Sequence, residues 1–282
     1  MIALYFNNKL DMDISIVREK LENIKINSLG LYQGKIGFLI CRNYLYELKD
    51  ANEIVKSLCD IRQEIENIKD NSFSSGLLGI CWGIAKLNES IKLDRKLIGF
   101  LSDFDDSIYK SITNYQTCDF SLETGLIGKG LYLYQRLKSR REINFYRILT
   151  LRECLVLIVL EIKNYLRKIF DDVYRSLSPQ DGINILHSIN YLYLLKELEV
   201  NPLLIENIIY DIKCFLIEYI RNNPSSTIQN NLLFHYIANL SQDEDMLKNY
   251  CFNSLGNIDY LELQKILLEL LSFFKQPFWF MI

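Results

Sequence analysis

The sequence predicts an all-α fold, and three observations predict it. Apolar residues recur at i, i+3/i+4 and i+7 nearly throughout, the spacing of a helix that buries one face. Only 12 glycines and 4 prolines stand in 282 residues, about half the usual share of turn-makers. No segment alternates apolar and polar residues as a half-buried strand does, and no Asn-Gly or Asp-Gly hairpin turn joins two such segments. Isoleucine (37) far outnumbers valine (6). That ratio fits AT-biased codons, so isoleucine is discounted as a strand signal.

The elements follow in order. A first stripe is Ile14, Val17, Leu21 and Ile24. Nearly uncharged helices are predicted over Ile36 to Tyr46, Gly79 to Leu87, Leu126 to Leu137 and Ile183 to Leu195. Charged, amphipathic helices are interleaved with them: Ile54, Leu58, Ile61, Ile65 and Ile68; Leu151, Leu155, Val156, Val159, Ile162, Tyr165 and Leu166; Ile205, Ile208, Ile212, Phe215, Leu216 and Tyr219. Leu261, Ile266, Leu267, Leu270 and Leu271 form the last stripe.

Ten of the twelve glycines fall in four clusters, each ahead of a nearly uncharged helix. They contain Gly34 and Gly37, Gly76 and Gly79, Gly125 and Gly128, and Gly182 without its second glycine. The recurrence defines units of about 28–70, 71–118, 119–175 and 176–225, with a degenerate end over 226–282, in a single domain of stacked helical hairpins. A glycine inside a helix costs about 1 kcal/mol against alanine. Repeating that cost points to a packing need, a backbone that approaches where no Cβ stands. With the uncharged helices inside and the charged ones outside, the expected architecture is an α/α toroid. The chain has room for about five hairpins, so the ring is expected to be partial. An open solenoid is the rival.

Charge and composition exclude several classes. The net charge is −3 with no basic block, so a phosphate-tracking surface and a nucleic-acid partner are not expected. The longest apolar run, Cys154 to Leu160, is too short for a membrane span, and the first residues carry no secretory pattern. Seven scattered cysteines with no Cys-x-x-Cys pair suit a reducing cytoplasm.

The glycine turns resemble those of the lanthionine synthetase C-like (LanC-like) family. Ser75-Gly76-Leu77-Leu78-Gly79-Ile80-Cys81-Trp82-Gly83 looks like that family's Ser-Gly-Leu-Ala-Gly-Ile-Gly-Trp turn, and the run from Gly125 to Leu133 looks like its Gly-Ala-Leu-Gly-Ile-Gly-Leu-Tyr-Phe. The resemblance spans residues 28 to 195. It implies a toroid that adds cysteine thiols of a ribosomal precursor peptide to dehydrated Ser or Thr. In the family a zinc ion held by two Cys and one His makes the attacking thiolate. This chain departs from the pattern in the later units. Beyond residue 200 it offers only Cys214, Cys251 and His235. His235 falls on a family ligand position in either of two registers, and one His cannot hold the zinc. Asp181 stands where the fourth-unit turn normally carries a His, and the family's third-unit Asp falls on Ser121, two residues after Asp119.

Each candidate has a plain structural reading beside the functional one. Asp119 is a loop or turn acid or a pore-facing one. His187 is a core or pore-lining histidine or a site residue, and His235 is a core residue or a metal ligand. Asp105-Asp106 and Asp171-Asp172 lack the further acid that a magnesium-binding aspartate pair needs and are expected at helix starts. No cofactor is expected. The resemblance implies lanthipeptide biosynthesis, with the chain binding the precursor peptide or a peptide-modifying partner enzyme. The alternatives are an active cyclase with an unusual or partner-completed site, and a toroid that binds something other than peptide; whether the chain is an enzyme stays open. The apolar end, Phe273 to Ile282, is expected to fold back or to meet a partner chain as a homo- or hetero-oligomer.

Overall fold

The fold is described by a computed structural model, over residues 26, 28–31, 34–45, 51–65, 67–114, 119–139, 143–171 and 178–222. About three-quarters of these residues are helical, and none of them is in a strand. Eight helices lie among the described residues: α1 Lys35–Leu45, α2 Ala51–Ile65, α3 Leu77–Leu87, α4 Arg95–Thr113, α5 Leu126–Ser139, α6 Phe145–Phe170, α7 Pro179–Lys196 and α8 Pro202–Asn222. The chain divides into two compact units. The first takes the described residues up to Thr113 together with Leu131–Leu151; the second takes Asn114–Gly130 and the described residues from Arg152 onward.

Within the first unit α1 packs against both α2 and α3, and α3 against α4. Ile54, Leu58, Ile61 and Ile65 are buried on α2, one face at helical spacing. The same rule gives Leu97, Leu101, Ile108 and Ile112 on α4. In α3 every residue from Leu78 to Leu87 except Lys86 is buried, as expected of a helix apolar on all sides. Gly83 lets α3 close on α1, because a Cβ there would run into the Ile36 side chain. Arg42 of α1 ties back to α2 through both Glu53 oxygens, at 3.0 and 2.7 Å.

Local signals set the starts. Asp94 accepts from the Leu97 amide at 2.7 Å, and Asn144 from the Arg147 amide at 2.8 Å, each satisfying an amide that the first turn leaves open. Ser178 caps α7, with Pro179 in the first turn. In the second unit α7 and α8 pack together. They are joined through Glu199 (φ 52°) and Asn201 (φ 46°), both left-handed, before Pro202 opens α8.

Asp105, Asp106 and Asp171 are not at helix starts. Asp105 and Asp106 lie in the middle of α4, and Asp171 follows the C-terminal end of α6. Asp105 is drawn inward by a buried guanidinium described below; Asp172 lies outside the described residues. Among the described residues, no helix is long and apolar enough to cross a membrane.

Candidate functional site

The glycine turns are built from one loop used repeatedly. At Asp70–Leu77 the Asp70 carboxylate accepts from the Ser72 amide, the Ser72 hydroxyl and the Ser75 hydroxyl, each at 2.8 Å. The Asp70 carbonyl accepts from the Leu77 amide at 2.8 Å. At Asp119–Leu126 the carboxylate accepts from the Ser121 amide and the Thr124 hydroxyl at 2.8 Å, and the Asp119 carbonyl from the Leu126 amide at 2.9 Å. The backbone closure recurs at the head of α1, where the Lys35 amide reaches the Ser28 carbonyl at 2.9 Å. The pattern shared by the Asp70 and Asp119 loops is Asp-x-Ser-apolar-x-Ser/Thr-Gly.

The loop accounts for its glycines. A Cβ at Gly76 would strike the Ser72 amide, and one at Gly125 the Ser121 amide. Two residues inside each helix, a Cβ at Gly37 would strike the Leu31 carbonyl oxygen and one at Gly79 the Phe73 carbonyl oxygen. The backbone that comes close is therefore the chain's own loop, folded under the helix it starts. Burial pushes the Asp119 carboxyl up, but the Ser121 amide, the Thr124 and Ser121 hydroxyls and Lys129 outweigh it and hold it below its ordinary value. Asp70 is held low by the Ser72 amide and the two serine hydroxyls.

The fourth turn moves the acid. Asp181 occupies the place of Ser75 and Thr124, and Ser178 that of Ser72 and Ser121. The Ser178 hydroxyl donates to Asp181 Oδ2 at 2.6 Å, and the Asp181 amide donates back to Ser178 Oγ at 3.1 Å, a reciprocal cap. The shift leaves Asp181 Oδ1 for the Tyr165 hydroxyl of α6, at 3.0 Å. The Asn184 amide donates to that same hydroxyl at 3.0 Å, and Gln180 donates to Asn184. Phe120, from the Asp119 loop, stacks on the Tyr165 ring with centroids 4.2 Å apart. Burial first, then Asp181, push the Tyr165 hydroxyl up to about 12 against the lowering effect of Asn184.

Asp119, Asp181 and His187 therefore all belong to the second unit, and Phe120–Tyr165 links the first two. His187 lies further along α7 and is buried, which brings its imidazole down to about 4. It is uncharged at neutral pH. Ser188 and Tyr191 continue the same buried face, and among the described residues their hydroxyls have no hydrogen-bond partner. His235 and Cys251 lie outside the described residues. Among the described residues no cluster of His, Cys, Asp and Glu could hold a metal ion.

The first unit holds a second polar cluster, centred on Asp105. Arg136 of α5 meets Asp105 through two bonds, Nε to Oδ1 at 3.0 Å and a terminal nitrogen to Oδ2 at 2.9 Å. The Tyr132 hydroxyl donates to Asp105 Oδ1 at 2.6 Å. Burial pulls the Arg136 guanidinium down, but Asp105 and Tyr132 outweigh it and the group ends above its ordinary value. Burial, then Asp105, push the Cys81 thiol well up, so it is not a thiolate nucleophile. The part-exposed Arg147 also reaches the Asp105 carboxylate, at 3.6 Å.

No protein-family model, no curated protein and no solved structure matches this chain.

Proposed function

We propose that this chain is a LanC-like protein of ribosomal peptide modification, that its helical hairpins form a partial α/α toroid, and that it binds a precursor peptide or a peptide-modifying enzyme. It does so without the family's zinc. The observation that carries the reading is the self-capped glycine loop, repeated with one hydrogen-bond pattern at the heads of α3 and α5 and with the same backbone closure at α1. Tandem turns of this kind ahead of buried, mostly apolar helices are what the resemblance rests on. The absence of a zinc role rests on chemistry: three protein ligands and an open position are needed, and the later sequence supplies one His on the family's positions.

Two measurements on the full chain test it: fluorescence anisotropy with a labelled peptide carrying cysteine and dehydroalanine, and elemental analysis of the purified protein. Saturable binding with well under one zinc per chain is the expected result. Stoichiometric zinc together with loss of the peptide's free thiol would make the protein an active cyclase. No binding, either to the peptide or to a co-expressed dehydratase, would end the peptide reading.

A further inference from the structure

We draw no further inference here: the strongest candidate, the buried polar face of α7 in the second unit where the Ser188 and Tyr191 hydroxyls have no partner among the described residues, is packed shut by its own unit, with Tyr191 pressed against Gly130, and nothing in the structure shows a ligand that reaches it.

Discussion

Two buried polar clusters, one in each unit, are built in opposite ways. Around Asp105 the first unit buries full charges, and both carboxylate oxygens are engaged by Arg136 and Tyr132. Along α7 the second unit buries uncharged groups instead: a neutral His187 and two hydroxyls without partners among the described residues. A buried ion pair is held together by mutual need, since each partner is costly alone. A buried neutral group carries a smaller cost and can be replaced by an apolar one. The first arrangement should fail steeply when cut, and the second should tolerate or even gain from trimming.

The largest expected effect follows from cutting the pair. Asp105→Ala leaves the Arg136 guanidinium buried without its carboxylate and should cost about 3–5 kcal/mol of unfolding free energy. Pairing it with Arg136→Met should recover much of that loss. If urea titration shows Asp105→Ala within about 1 kcal/mol of the wild type, the pair is not the anchor of the first unit.

The second unit should show its weakness as a pH dependence. An unfolded histidine titrates near 6.5, whereas the folded His187 imidazole lies at about 4. Between those values the unfolded chain takes up a proton and the folded one does not. His187 therefore leaves stability intact above about pH 6.5 and erodes it as the pH falls toward 4, by roughly 3 kcal/mol in all. His187→Gln should flatten that limb. Equal acid slopes for the two proteins would place His187 in contact with water. The Asp70 and Asp119 loops add their own acid sensitivity lower down: with folded values below the ordinary one, their contribution is lost only as pH falls beneath about 4.

The helix heads offer a smaller contrast. Gly79→Ala drives a Cβ into the Phe73 carbonyl oxygen and should cost about 1–3 kcal/mol. Gly99→Ala on the exposed side of α4, where a Cβ meets nothing within 4 Å, should gain about 0.5–1 kcal/mol by helix propensity alone. Thermal melts that move both variants in the same direction would mean that the loop is not what fixes Gly79.

The smallest effect is Tyr191→Phe. Deleting an unpartnered buried hydroxyl should be neutral or stabilise by up to about 1 kcal/mol. A clear loss in chemical denaturation would mean that the hydroxyl has a partner, and the contrast between the units would narrow.

The helices other than α4 and the heads of α1, α3 and α5 were legible in the sequence because both signals are local; α7 starts earlier than expected, at Pro179, so that Gly182 lies inside the helix and not in a turn ahead of it. The 3.6-residue stripes and the glycine spacing each fit within one turn or two. Aligning Gly76 with Gly125 would also have exposed Asp70 beside Asp119, since the acid stands six residues before the glycine in both. Asp105–Arg136 was not legible. The partners are 31 residues apart, and nothing in either segment says that two helices will bring them together. The one available hint was an arginine two residues after the apolar run Leu131–Tyr134 of α5. Asp181–Tyr165 was hidden for a different reason: Asp181 stands one residue before its glycine where Asp70 and Asp119 stand six, so the glycine spacing that aligns those two acids does not reach it.

The closure of the Asp70 and Asp119 loops also bears on the order of folding. Their side-chain bonds span no more than five residues, and loop closure over so short a distance costs little entropy. Starting a helix is the slow, unfavourable part of making one. Here each head carries its own nucleus, independent of the partner helix. A chain emerging from a ribosome can thus set the first turn of α3 before α4 exists, and that of α5 before α6. Assembly then becomes the docking of helices already begun, in the order they were made.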